Sequence, residues 1–98
     1  MKSDKVQGMP SEFCLRQCYI DHIASKTMIV FDLPTAASVT LTIYDDSGKE
    51  LAILLDQRKL ASGTHQIPYH SESEFYYRMV ALHPGATFAA VKRAIVPV

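Results

Sequence analysis

Residues 39–55, VTLTIYDDSGKELAILL, decide the fold of this 98-residue chain. The apolar side chains of Val39, Leu41 and Ile43 alternate with more polar ones, which is the period-two pattern of a strand with one buried face. Asp45–Lys49 then forms a turn cluster in which glycine is free to adopt positive φ, and an apolar pattern resumes beyond it. The stretch therefore predicts a β-hairpin.

The same alternation recurs in short runs along the rest of the chain. Turn residues separate the runs at spacings of about ten residues, and no stretch of useful length has the period of a helix. Polar residues over Asp56–Gly63 predict a connection, and Pro68 places its own strand at a sheet edge or a bulge. The pattern predicts an all-β sandwich or barrel of about seven strands. Besides the hairpin strands at Val39–Tyr44 and Glu50–Leu55, the strands are predicted at Phe13–Tyr19, Thr27–Leu33, Thr64–Tyr69, Phe75–Ala81 and Phe88–Val98.

Composition excludes several classes of function. Ten Lys and Arg balance ten Asp and Glu, so no overall field draws the chain to nucleic acid or to an anionic membrane. No apolar run approaches the roughly 20 residues that a membrane span needs. Residues 1–12 mix charge, Gly and Pro, which predicts a flexible arm before one domain over residues 13–98. Met1–Pro10 lacks the apolar stretch of a secretory signal, which predicts a cytoplasmic location.

The two cysteines, Cys14 and Cys18, lie close together in the sequence. In an extended segment they are about 13 Å apart, beyond the roughly 7 Å limit for a disulfide, so we expect free thiols. Together with His22 they have a regular spacing that on a helix would align three zinc ligands on one face. A small zinc-binding regulator is therefore an alternative, against which stand the strand pattern of this segment and the lack of an evident fourth ligand.

No catalytic or cofactor-binding constellation is evident in the sequence. No Ser or Cys has an obvious base partner among the scattered histidines. The glycines are isolated at turns rather than grouped in a phosphate-binding loop, and the adjacent Asp45 and Asp46 belong to a turn. We therefore expect no enzyme activity, no cofactor, no metal and no small-molecule substrate. The histidines are His22, His65, His70 and His83.

Five parts of the chain carry a family pattern in order: Leu15–Tyr19 with Thr27–Pro34, Val39–Ala52, Leu60–His65, Phe75–Met79 and Val91–Val96. Together they resemble the immunoglobulin-like domain shared by the flagellar hook-capping protein and the C-terminal sorting domains of type IX secretion. The resemblance covers about Phe13 to Val98. Ile20–Ser25 replaces the family's Pro-Asn-Pro-Phe-Asn-Pro element, and Tyr69 stands where the family usually has Trp.

This resemblance implies an immunoglobulin-like antiparallel β-sandwich of about seven strands that binds other proteins. It also implies a structural role for His65, which follows the Gly63 turn and would hydrogen-bond nearby backbone. Our leading hypothesis is a non-catalytic linker or scaffold subunit of a larger multiprotein assembly. Because the family is abundant in the Bacteroidetes and green sulfur bacterial lineages, one candidate assembly is the photosynthetic reaction centre with its antenna, at the cytoplasmic face of a membrane. A type IX sorting domain is the alternative function.

Apolar residues on strand faces that should be wet indicate where a protein partner would bind. The alternation leaves one such set on three strands, and the predicted edge segment Phe13–Ile23 offers a second candidate surface. Single exposed apolar residues are also normal on a monomer, which is the alternative interpretation. The first set is Met28, Val30, Tyr44, Tyr76 and Val80, and the second contains Phe13, Ile20 and Ile23.

Overall fold

The computed structural model describes residues 11–23, 25–71 and 73–94. Every strand pair in this part of the chain is antiparallel. The predicted turn at Asp45–Lys49 closes a hairpin, and the turn at Pro84-Gly85 closes another. The eight strands are β1 (Cys14–Leu15), β2 (Tyr19–Asp21), β3 (Lys26–Leu33), β4 (Ala37–Tyr44), β5 (Glu50–Leu60), β6 (Gly63–Tyr69), β7 (Phe75–His83) and β8 (Ala86–Ala94).

The strands form two sheets that pack face to face. In the first sheet, β3 pairs with β6 on one side and with β1 and then β2 on the other. The second sheet has the order β5-β4-β7-β8. The chain crosses between the sheets after β3, after β5 and after β6. As a result, β7 pairs with β4 and not with its sequence neighbour β6. The fold is an immunoglobulin-like antiparallel β-sandwich, as predicted.

The core lies between the sheets and follows the period-two pattern. Alternate residues of β3 point inward from the first sheet, and alternate residues of β4 and β7 meet them from the second. Nine of the largest inward side chains are fully buried: Ile29, Phe31, Leu33, Val39, Leu41, Ile43, Phe75, Tyr77 and Met79. The inward faces of β4 and β7 fix which residues of the second sheet point outward.

Two differences from the predicted strands are larger than a shift of one or two residues at a strand end. The segment Asp56–Gly63, predicted as a connection, instead continues β5 as far as Leu60. Since β5 is an edge strand, its polar side chains remain exposed while the backbone still pairs with β4. The single strand predicted over Phe13–Tyr19 is divided into β1 and β2, which raises the strand number to eight. Residues 1–10 of the predicted arm and 95–98 of the last predicted strand lie outside the described residues.

The division between β1 and β2 is a bulge that the second sheet holds in place. The register of β2 on β3 is displaced by one residue from that of β1. Within the bulge, the Tyr77 hydroxyl donates to the Arg16 carbonyl and accepts from the Cys18 amide, both at 2.9 Å. The side chain of Gln17 donates to the Arg93 carbonyl of β8 at 3.0 Å. The N-terminal strands of the first sheet are thereby attached to the second.

Candidate protein-binding face

The outward side of the second sheet presents one continuous surface across four strands, which we call the outer face. Its members on β4 and β7 alternate with the buried residues of these two strands. Its members on β5 and β8 lie opposite those outward-facing residues in the register. They are Ser38, Thr40, Thr42 and Tyr44 on β4, Tyr76, Arg78, Val80 and Leu82 on β7, Thr87, Ala89, Val91 and Arg93 on β8, and Glu50, Ile53 and Lys59 on β5.

Aromatic and aliphatic side chains concentrate at one end of the outer face. Tyr44 lies directly opposite Tyr76 on the neighbouring strand, and both rings are partly exposed. Ile53 and Val91 lie in the next row of the sheet, where they are 50% and 56% exposed. Leu82, at the other end of β7, is also largely exposed. Such exposure of large apolar residues on one side of a sheet is typical of a binding surface.

Open clefts lie at both ends of the outer face. One, of about 390 Å³, is lined by Tyr44, Tyr76, Val91 and the turn residues 45–48. The other, of about 350 Å³, includes Leu82 among its lining residues, at the opposite end of the sheet. Both clefts are concave places in which a partner's side chain could be seated.

The turn beside the first cleft is held rigidly by Asp45. Its carboxylate oxygen Oδ1 accepts hydrogen bonds from the backbone amides of Ser47 and Lys49, both at 2.9 Å, and from the Ser47 hydroxyl at 2.7 Å. These bonds, above all the one from the Ser47 hydroxyl, hold the pKa of Asp45 below its usual range. Asp45 therefore orders the turn, as an Asx motif does.

The two arginines of the outer face differ in their surroundings. Arg93 at the β8 edge forms an ion pair with Glu74, and this carboxylate raises the pKa of Arg93. Arg78 lies between Thr42 and Val91 in the centre of the sheet. Its side chain is exposed and forms neither a hydrogen bond nor an ion pair with any other described residue.

No protein-family model, curated protein or solved structure matches this chain. The resemblance to the hook-capping and sorting-domain family therefore stays a prediction. Evidence for the function of the outer face comes from its own residues.

The structure divides the first predicted set of interface residues between the two sheets. Tyr44, Tyr76 and Val80 come together on the outer face, whereas Met28 and Val30 lie on β3 of the first sheet. The expectation that Val30 lies on a wet surface is wrong, since this residue is only 7% exposed. β3 is the central strand of its sheet, and the strands on both sides of it leave little of Val30 accessible.

The second predicted set does not form one surface. The ring of Phe13 stacks on that of Phe88, with centroids 5.8 Å apart, so its contact is with β8. Ile20 is half-buried in β2 opposite Thr27, and Ile23 is fully exposed in the turn that follows. Of this set, Ile23 is the residue whose side chain is free to meet a partner.

Sequence reasoning missed several members of the outer face, including Ile53, Arg78, Leu82 and Val91. The run Leu51–Leu55 is apolar throughout, so its alternation cannot be read until β5 is paired with β4. Val91 and Leu82 alternate with residues that face inward, and this signal was present in the sequence. The central position of Arg78 depends on the strand order, which the sequence alone does not specify.

Three of the histidines considered for other chemistry contact backbone carbonyls. The Nε2 atom of His65 lies 2.8 Å from the Ala61 carbonyl, which confirms its predicted structural role. His70 and His83 likewise contact the backbone carbonyls of Ser25 and Ala36.

Among the described residues no group of three His, Cys, Asp or Glu side chains could hold a metal ion, and Cys14, Cys18 and His22 are not brought together as one. Both cysteines are free thiols. No helix within the described ranges is long and apolar enough to cross a membrane.

Proposed function

We propose that this chain is a non-catalytic linker or scaffold subunit of a larger multiprotein assembly, and that a partner protein binds its outer face. The observation that carries the proposal is the concentration of exposed apolar and aromatic side chains on one side of the second sheet. Tyrosine and arginine are enriched at protein interfaces and in their hot spots, and here Tyr44 and Tyr76 lie at one end of the face and Arg78 at its centre.

The size of the outer face sets what kind of complex it can support. Four strands about 4.8 Å apart and eight residues long, at about 3.3 Å each, cover roughly 500 Å². A standard interface buries about 800 Å² on each partner. A stable partner would therefore also contact neighbouring features such as the turn at residues 45–48, and a partner confined to the sheet would bind transiently.

The candidate assembly is a photosynthetic reaction centre with its antenna, to which this chain would attach peripherally at the cytoplasmic face. Support for this choice comes from the lineages in which the resembled family is abundant. A sandwich that exposes several apolar residues on one sheet suits such a linking role, because a partner bound there leaves the two ends of the sandwich accessible.

The proposal is tested by mild affinity purification of the tagged chain from its native organism, with mass spectrometry of soluble and membrane fractions. We expect stoichiometric partners with the wild type and their loss with Tyr76→Ser. Tyr19→Ser is the control, because Tyr19 is a tyrosine on the first sheet that is 47% accessible and thus more exposed than the partly buried Tyr76. A monodisperse monomer without partners, or equal losses with both variants, would contradict the proposal.

A type IX sorting domain is the second candidate function, favoured by the order and extent of the family-like segments between Phe13 and Val98. In that case the export machinery is the partner that recognises the sandwich. A reporter protein carrying a secretory signal and this chain as its tail should then reach the cell surface of a host with this secretion system. Retention of the fusion in the periplasm would count against this function.

A further inference from the structure

Arg78 is a cation in the apolar centre of the outer face. In the register of the sheet it is flanked by Thr42 and Val91, and its neighbours on the same face of β7 are Tyr76 and Val80. Its guanidinium is exposed, so water now solvates the charge. A partner that covers the sheet would remove that water.

The chain provides counterions for two of its other arginines, whereas the exposed Arg58 on β5 has none among the described residues. Arg16 donates to Asp32 at 2.8 Å, and Arg93 is paired with Glu74. Arg78 has no such carboxylate among the described residues. The carboxylate that the outer face does carry, Glu50, lies on the edge strand β5 with β4 between it and β7.

A buried arginine without a counterion is strongly unfavourable, because desolvation of the charge is not offset. The partner must therefore bring its own anion. The planar guanidinium matches a carboxylate, which can accept two parallel hydrogen bonds from it. The apolar side chains of Tyr76, Val80 and Val91, which lie around Arg78, would exclude water from the guanidinium–carboxylate pair and strengthen it.

A second copy of the chain does not meet this requirement. Arg78 lies near the centre of the face, so a two-fold axis through that centre brings two Arg78 side chains close together. In one such arrangement β7 of each copy lies over β4 of the other, and Thr42 faces Arg78. Two like charges would then be buried side by side without a carboxylate.

We infer that the outer face binds a protein surface that places an Asp or Glu carboxylate against Arg78 and surrounds it with apolar side chains. This inference rests on the proposed function, since it specifies the partner of the same face. Arg78 then serves both to select an acidic partner and to prevent pairing between copies of the chain.

The probe for this chemistry is a library of random 12-residue peptides displayed on phage and selected on the immobilised chain. Selection on the wild type should enrich Asp or Glu beside aromatic or aliphatic residues. Selection on Arg78→Glu should instead enrich Lys or Arg. A synthetic peptide from the wild-type selection should bind Arg78→Gln about tenfold more weakly, the effect of losing one well-placed charge pair.

Arg58→Glu is the matched control, because Arg58 is exposed on β5 but lies opposite the inward-facing Val39 and so is not on the outer face. It should select the same peptides as the wild type. Loss of binding in Tyr76→Ser, and not in Tyr19→Ser, would locate the peptides on the outer face.

The outcomes separate this inference from the proposed function. Peptides that need Tyr76 but show no carboxylate preference, and that bind Arg78→Glu unchanged, would overturn the inference while leaving the outer face as a binding surface. Peptides that bind Tyr76→Ser as well as the wild type would contradict the outer face itself. A selection without binders, or a wild-type dimer through this face in sedimentation analysis, would also overturn the inference.

Discussion

At the scale of single residues, the Tyr77 hydroxyl completes the hydrogen bonding of the N-terminal bulge. The bulge removes the Arg16 carbonyl and the Cys18 amide from the ladder with β3, and one buried hydroxyl satisfies both groups. Burial raises the pKa of Tyr77 far above its ordinary value, so the hydroxyl stays protonated and able to donate. A side chain of the second sheet thus determines the conformation of a strand in the first.

Replacing Tyr77 by Phe should destabilise the fold, because both backbone groups then lose their partner. We expect a loss of about 1–2 kcal/mol in the free energy of unfolding, the usual cost of an unsatisfied buried polar group. Urea denaturation followed by circular dichroism measures it. Tyr69→Phe is the control, since the hydroxyl of Tyr69 makes no hydrogen bond within the described residues. Similar losses in both variants would show that the bulge does not depend on the hydroxyl.

Residues on the outward side of the first sheet show which structural features the alternation of apolar and polar residues cannot predict. Alternation correctly placed Val30 and Asp32 on the face opposite Ile29 and Phe31, but it could not show that these two residues are buried there. The buried Asp32 accepts hydrogen bonds from Arg16 of the N-terminal bulge at 2.8 Å and from Thr64 of β6 at 2.7 Å, which lie on either side of β3. These cross-strand partners follow from the pairing of strands far apart in sequence. By contrast, the contact of His65 with Ala61 is local, and the family resemblance was enough to predict it.

At the scale of elements, the β4–β5 hairpin depends on the Asp45 turn. The hydrogen bonds that lower the pKa of Asp45 form with its ionised carboxylate in the folded chain. A depressed folded-state pKa stabilises the fold above the unfolded-state pKa of about 3.9, and this contribution is lost as pH falls through the lower folded-state value. The hairpin should therefore weaken in acid.

The variant Asp45→Asn tests this pH dependence while leaving an oxygen that can accept the same hydrogen bonds. The wild type should be the more stable protein at pH 7, and the difference in melting temperature should shrink as the pH falls below about 4. Asp46→Asn, in the same turn but without these bonds, should show no such convergence. A difference between wild type and Asp45→Asn that is constant from pH 7 to pH 2 would contradict the role of the carboxylate charge.

The strand β5 explains why one element boundary could not be predicted. Asp56–Lys59 looks like a loop because all of its side chains are polar, yet an edge strand needs an apolar residue only where it faces the core. Register shifts against β4, together with Gln57 at φ 50°, make β5 irregular and further blur its alternation. The hairpin strands around the Asp45 turn were predictable because the turn residues and the alternation both indicate two strands joined at this point.

At the scale of the whole molecule, the two sheets have different outward sides. On the first sheet, both Val30 and Asp32 are buried on the outward side of the central strand, and Asp32 is engaged by neighbouring strands. The outer face of the second sheet instead leaves Ile53, Leu82 and Val91 about half exposed. The central strand β4 of the second sheet likewise buries Thr42, so the difference lies in the aliphatic residues exposed on β5, β7 and β8, and these support the proposal of partner binding on that side. This difference could not be derived from composition, since the sequence as a whole has balanced charge and ordinary apolar content.

If the charge of Arg78 keeps copies of the chain apart, its removal should allow the outer faces to pair. We expect Arg78→Leu to form a concentration-dependent dimer, because the substitution replaces two clashing charges by additional apolar area at the two-fold axis. The roughly 500 Å² available per copy predicts weak association, with a dissociation constant in the micromolar range or above. Sedimentation velocity over a hundredfold range of concentration measures it.

Arg58→Leu, which changes an exposed arginine that is not on the outer face, should remain monomeric like the wild type. Dimerisation of Arg58→Leu to the same extent would attribute self-association to general loss of charge, and a monomeric Arg78→Leu would show that Arg78 does not control pairing of the outer faces.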